Sequence, residues 1–421
     1  MSGTTILKNC NLVCCENKMD ILIVGGLIEK IEQNIESDGA KVIDVAGNWV
    51  LSGLIDMHCN ICEPGFENIE NIETVSKSAA RGGFTSITCE PNTKPVVDNK
   101  TVVEYIISKS KEQSSVNIYP YGSMSMGCEG KAIAEIGEMY EAGVVGISDG
   151  DQSVNNAALM RNVMRYTKMF DLPVMTHCED SSLSQNGVMH EGYTASCLGL
   201  RGIPREAEEI HVGRNILLAK NTGVKLHISH VSTIGTVSMI REAKKNGIPI
   251  TCETCPHYFT LTETAVEDYN TYAKVNPPLR TQEDVKAVLR GIADGTIDVI
   301  ASGHSPASQT EKQKEFDNAA YGISALETAF SVSYTTLVEG GYITLQRLTE
   351  LMSKNPAEIL KLTQKGEIAV GKDADLIVVE TEETYPIEPK LFASKAKFSP
   401  FAGQEVKGRV RCTIVGGKII S

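Results

Sequence analysis

From about residue 50 to residue 365, short apolar runs rich in Val and Ile alternate with longer amphipathic, charged segments. That alternation is the signature of repeated βα units around a parallel sheet. The runs predict strands over Val50–His58, Thr85–Cys89, Val116–Tyr121, Val144–Ser148, Pro173–His177, Lys225–His230, Ile248–Cys252 and Ile297–Ala301. The segments between them predict helices over Ile72–Arg81, Thr101–Gln113, Asn155–Phe170, Glu206–Asn221, Val237–Asn246 and Gln282–Ala293. Eight strands with helices between them point to a (β/α)8 barrel rather than an open sheet.

The two ends of the chain read differently. Residues 3–49 and 367–421 carry short alternating runs broken by turns, such as "DILIVGGLIEKI" and "VRCTIVGGKII". They predict one small β-sandwich built from both termini, residues 1–52 and 366–421, flanking a barrel of residues 53–365. The stretch after the eighth predicted strand, "SPASQTEKQKEFDNAAYG", is polar and has no apolar period. It reads as a long surface loop, either a lid over the barrel or a plain solvated connection.

Composition narrows the class. At 421 residues, with 42% hydrophobic and 22% charged residues, the chain has the make-up of a large soluble globular protein. Its net charge of −13 argues against general affinity for nucleic acid or for acidic membranes. A local positive site is still compatible with that total. The 12 cysteines are scattered, the start lacks a signal-like segment, and no apolar run reaches the roughly 20 residues that span a bilayer. A cytoplasmic protein with free thiols is expected.

In a barrel, functional side chains collect at the carboxyl ends of the strands. Those ends carry His58, with Asn60 two residues on, then Glu90-Pro91-Asn92, "ISDGD", His177, His230, then His257 and Asn276, and Gly303-His304-Ser305. Neutral imidazoles suit zinc-like ions, so His58, His177 and His230 form a metal-ligand constellation. His227, on the opposite strand face from His230, reads as structural, and His190 and His211 read as ordinary surface residues. Cys59-x-x-Cys62 and Cys252-x-x-Cys255 have zinc-ribbon spacing, but alternation turns Cys59 away from the axis and Cys252 lies inside a strand. Cys62 as a nucleophile with His58 as its base has no further triad partner to support it.

Several stretches together resemble a known family. "GLIDMH" with "EPGFE", "ARGGFTSITCEPNTKPV", "THCED", "HISHVST", "KVNPPLR", "YGISALET" and "VGKDADLIVV" are similar to the motifs of dihydroorotases of the amidohydrolase superfamily, over nearly the whole chain. The resemblance implies a binuclear zinc hydrolase that interconverts N-carbamoyl-aspartate and dihydroorotate in pyrimidine biosynthesis. In that chemistry two metals activate a bridging hydroxide, an aspartate after the eighth strand moves the proton, and an arginine and an asparagine clamp the substrate carboxylate. A homodimer is also implied.

Carried over position by position, the family pattern is broken in three places. The first strand should end His-x-His with an arginine two residues later, and here Asn60 and Cys62 stand in those slots. The fourth should read Asp-Asp-Gly, and Gly150 fills the metal aspartate's slot, between Asp149 and Asp151. A one-residue shift would be needed to bring Asp151 in. The eighth should supply a general base and a substrate-binding histidine, where Gly303 and Ala307 stand. Retained are His58, His177 and His230 of the metal set, and Asn92 and Asn276 of the substrate set, with Cys62 in the guanidinium slot. Without carboxylate ligands a binuclear site loses the anions that offset two divalent charges, which leaves a single zinc on three histidines as the chemically allowed site. The carboxylated lysine of hydantoin- and allantoin-hydrolysing relatives has no counterpart in "GISDGDQS".

Two expectations follow. The favoured one is a catalytically silent dihydroorotase homologue kept for binding or assembly, a kind of relative associated with aspartate carbamoyltransferase. The other is a cyclic amidohydrolase with an altered metal site and an altered small-molecule substrate.

Overall fold

A computed structural model describes residues 3–13 and 15–421. Parallel strands Leu54–Asp56, Phe84–Cys89 and Asn117–Pro120 form one run of the barrel wall. Gly122–Ser123, Ile147–Ser148, Val174–Thr176, Leu226–Ile228, Ile250–Thr254 and Val299–Ile300 form the other, again all parallel. The Val145 amide donates to the Pro120 carbonyl (3.2 Å) to join the two runs. A bridge between Cys59 and His304 and the bond from the Asn60 amide to the His304 carbonyl (2.9 Å) close the wall. This is the expected (β/α)8 barrel.

The strands are shorter than the apolar runs that predict them. The first run, Val50–His58, serves two sheets: Trp49–Ser52 pairs antiparallel with Leu376–Glu380, and Leu54–Asp56 enters the barrel. Gly53 stands at the crossing, where a β-carbon would lie 2.2 Å from Thr85 Oγ1. Only glycine permits that approach.

Helices Ile72–Arg81 and Gln282–Ala293 form at the predicted residues. Each starts with a capping box, Asn71 with Thr74 and Thr281 with Asp284, which satisfies amide donors that the first turn leaves open. The buried face of the first, Ile72, Val75 and Ala79, packs into the barrel's main core. Burial of this kind contributes roughly 1.5–3 kcal/mol for each large aliphatic side chain. A helix at Ile136–Ala142 and the helical turns between Ala329 and Ile359 lie outside the predicted segments.

Both chain ends supply two four-stranded sheets, one ordered Leu27–Glu32, Met19–Val24, Thr4–Cys10, Lys41–Asp44, the other Lys418–Ile419, Arg409–Val415, Leu376–Glu380, Trp49–Ser52. Leu7, Ile21, Ile23, Val50, Leu376 and Ile414 pack in one core between them. Among the described residues no helix is long and apolar enough to cross a membrane.

Two expectations are corrected here. The segment after the eighth strand is more than a solvated loop: Gln309, Thr310, Lys314 and Glu315 are exposed, but Lys312, Phe316 and Ala319 are buried. It carries a short helix, Gln309–Lys312, and Lys312 is 0% exposed, donating to the carbonyls of Thr271 (3.0 Å) and Lys274 (3.3 Å). Lys274 in turn donates to the carbonyls of Phe316, Asp317 and Ala319. Two buried lysine amino groups thus tie the strap down, a role that a polar sequence does not reveal.

His190 and His211 are not surface residues either; both are buried. Arg280 Nη1 lies 3.1 Å from His190 Nδ1, and Arg214 Nη2 lies 3.4 Å from His211 Nδ1. Burial, reinforced by the neighbouring guanidinium groups, pushes both imidazoles down to about 4, so each stays neutral and can accept from its arginine.

Candidate active site at the barrel mouth

A cavity of about 340 Å³ opens at the carboxyl ends of the strands, with His58, Asp151, His177, Glu179, His230, His257, Asn276 and Gly303 in its wall. The floor is fixed by Asp56, which accepts from the Ser302 amide (2.7 Å) and hydroxyl (2.5 Å) and so locks the first strand end to the eighth.

Three donors gather as a candidate metal group, His58, Asp151 and His230, with ligand atoms within 4.8 Å of one another. The sequence pattern puts His177 in this set, and the structure does not. His177 Nδ1 lies 3.2 Å from His230 Nε2, and its Nε2 lies 3.2 Å from Glu179 Oε2. That glutamate oxygen also accepts from Asn276 Nδ2 (2.7 Å).

Asp151 enters through the turn that precedes it. Gly150 takes a left-handed conformation (φ +62°) and donates its amide to Ser148 Oγ (2.9 Å). Asp149 is consumed structurally, accepting from the Met124 and Ser125 amides (2.7 and 3.0 Å) and the Ser125 hydroxyl (2.6 Å). The shift that the default register disfavours is therefore the one that occurs. Asp151 Oδ1 stands 3.9 Å from His58 Nε2.

On its other side His58 Nδ1 lies 3.4 Å from Glu90 Oε1 and 3.4 Å from Glu253 Oε1, an ion-pair rather than a hydrogen-bond geometry. Burial alone would lower the imidazole's pKa, but Glu253, Glu90 and Asp151 outweigh it and raise it to about 10. Glu90, which accepts from Ser148 Oγ (2.8 Å), is itself raised to about 7 by burial. His230 is driven the other way, well below its ordinary value, by burial and by the charges of His177 and His58.

Sequence reasoning missed the part played by both glutamates, although a signal was present. Each ends the same tetrapeptide, "ITCE", at residues 87–90 and 250–253. A carboxylate at the end of a buried strand needs a partner, and here both point to one histidine.

The donors fit a single ion. His58 Nε2, once an ion displaces its proton, would hold that ion together with Asp151 and neutral His230.

The remaining predicted residues divide. Asn276 and Gly303 line the cavity. Cys62 and Asn92 are not among its lining residues: Cys62 Sγ lies 3.9 Å from the Asn60 carbonyl, and Asn92 packs beside Gly150. Burial and the carboxylates of Glu70, Asp151 and Glu67 push the Cys62 thiol up to about 12, which removes the nucleophile reading. Asn60 is buried and donates to Ser305 Oγ (3.1 Å). Ala307 packs with Ala396 and Phe398, away from the cavity. Among the described residues the two Cys-x-x-Cys pairs are not brought together as a metal group.

Comparison with known proteins places this geometry. Residues 47–235 match the family described as Dihydro-orotase-like, and residues 273–421 match the one described as Amidohydrolase family. The L-hydantoinase of Arthrobacter aurescens has the same fold, with a TM-score of 0.91 and 27% identity over 100% of this chain and 96% of its own. A dihydropyrimidinase from Brevibacillus agri, at 22% identity, shares the fold with a TM-score of 0.88, over 99% of this chain and 95% of its own. Fold and site thus define an amidohydrolase barrel.

Relatives named dihydroorotase narrow the class. That of Acetivibrio thermocellus is 48% identical over 96% of this chain and 94% of its own, and that of a Thermoanaerobacter species is 48% identical over 98% and 96%. The chain belongs to the dihydroorotase family.

Proposed function

We propose that this family member, placed by its relatives in pyrimidine biosynthesis, does not interconvert N-carbamoyl-aspartate and dihydroorotate, and that it keeps its barrel for a binding or assembly role. One observation carries the reading: among the described residues no lysine or arginine lines the cavity, whereas Asp151 and Glu179 do. A substrate bearing a carboxylate meets like charge there and finds no guanidinium clamp. Gly303 in the base slot and Asn60 in a ligand slot remove the proton carrier and an imidazole as well. The relatives' shared name speaks for the family, and the silent reading is carried by this chain's own residues.

The partner this reading favours is aspartate carbamoyltransferase, engaged by a homodimer of this chain. Sedimentation of the two proteins together at micromolar concentration tests it. Co-migration is expected, and independent migration at every ratio would remove the assembly role.

Asp151 favours a second reading, a single-metal amidohydrolase acting on a different cyclic amide. His58, Asp151 and His230 would hold the ion. Bound zinc would supply Lewis acidity to a substrate carbonyl. Near-stoichiometric zinc in protein purified without chelator, lost in Asp151→Asn and retained in His177→Asn, supports this reading over the first.

A further inference from the structure

We infer that the helix Glu206–Thr222 presents a face that pairs with the same helix of a second copy of this chain, antiparallel across a two-fold axis beside Gly213. The inference rests on the homodimer of the assembly reading and gives that homodimer an interface.

The helix stands on the outer wall of the barrel, where Val212, Ile216 and Ala219 bury its inner side in the main core. Its outer side should then be polar. Instead Ile210 is 54% exposed and Leu217 is 67% exposed. They lie two turns apart on one stripe, with Gly213 between them. Ile234, which opens the neighbouring helix Ile234–Lys245, is exposed as well. A single exposed aliphatic residue is ordinary, but a stripe of them is a surface feature.

Gly213 is an independent observation. Glycine in the middle of a helix weakens it relative to alanine. The fold of one chain gives no steric reason for it. Among the described residues a β-carbon there would meet Met239 Sδ alone, at 3.5 Å, which is an ordinary contact. A missing side chain on an outward face lets a second helix approach closely.

The charges set the direction. Glu206 stands one turn before Ile210 and Lys220 one turn after Leu217, and both are exposed. Antiparallel pairing about Gly213 brings Glu206 opposite Lys220 of the copy and Ile210 opposite Leu217, each twice by symmetry. Parallel pairing would set like charges together. The other charged groups on this side are occupied within the chain. Arg214 donates to the Asn155 carbonyl (3.0 Å) and to Asn215 Oδ1 (2.8 and 3.0 Å), and Glu209 lies over Gly235 of the neighbouring helix. The stripe from Glu206 to Lys220 is about 21 Å long. A contact of that length, with Ile234 at its flank, is at the small end of stable interfaces, so micromolar affinity is expected.

Sedimentation velocity of the full-length protein alone, from about 1 to 100 µM, tests this. A reversible dimer is expected. Leu217→Asp should weaken it about tenfold or more. The unfolding temperature of that variant at low concentration should match wild type, because Leu217 is exposed. Glu206→Lys and, separately, Lys220→Glu should each weaken the dimer several-fold. An equimolar mixture of those two variants should recover wild-type affinity, since every pair is then of opposite sign.

A protein that stays monomeric throughout would overturn the inference and, with it, the homodimer of the assembly reading. A dimer that Leu217→Asp leaves unweakened, or a mixture no tighter than either charge variant alone, would overturn this face and leave that homodimer standing.

Discussion

A β-carbon placed on Gly303 would lie 2.8 Å from Cys255 Sγ. It would also lie 2.9 Å from His257 Cε1, and the backbone there is left-handed (φ +67°). The slot that the resemblance assigns to a proton-carrying aspartate is therefore closed by its neighbours. Gly303→Ala should cost roughly 1–3 kcal/mol, through overpacking and the positive φ. A lowered urea midpoint is the expected result, and an unchanged or raised midpoint contradicts it. Restoring the family pattern with Asn60→His, Cys62→Arg, Gly150→Asp, Gly303→Asp and Ala307→His requires Cys255 and His257 to move first.

The strap after the eighth strand predicts a pH dependence. Burial, with repulsion from Lys274, lowers the Lys312 ammonium from 10.5 to about 7. Between those values the unfolded chain binds the proton and the folded chain does not, so this group's contribution to stability rises with pH. Lys312→Met lacks that rise. The stability difference between wild type and variant should therefore change steadily in the wild type's favour from pH 7 toward pH 10, by at most about 1.4 kcal/mol per pH unit. A difference flat across that range in paired denaturant titrations contradicts the buried position.

Thiol labelling separates the cysteines. Cys197 is exposed, whereas Cys59, Cys89, Cys252 and Cys255 are each 0% exposed. Cys62, with its thiol raised to about 12, has almost no thiolate at neutral pH. Mass spectrometry after brief alkylation of native protein should find Cys197 modified and Cys62 intact. Rapid modification of Cys62 would reopen its role at the mouth.

Much of this architecture was legible in the sequence, for identifiable reasons. Helices Ile72–Arg81 and Gln282–Ala293 carry their own caps, and the eight strands announce themselves as buried Val- and Ile-rich runs. The first run misled because one apolar stretch feeds two sheets through Gly53. The mouth was half legible: strand-end histidines were found, but a left-handed turn at Gly150 re-aims Asp151 in a way that no residue period records. Buried polar groups were the hardest to see. Lys312, His190 and His211 look like surface residues because their partners are distant backbone carbonyls and arginines.

The most direct test of the account is a turnover assay with full-length protein, as purified and again with zinc added, following dihydroorotate and N-carbamoyl-aspartate in both directions. The acidic cavity wall and the closed Gly303 slot predict no conversion of either compound above the rate in buffer. Conversion at about 1 s⁻¹ or faster, within the ordinary range for enzymes, would contradict it.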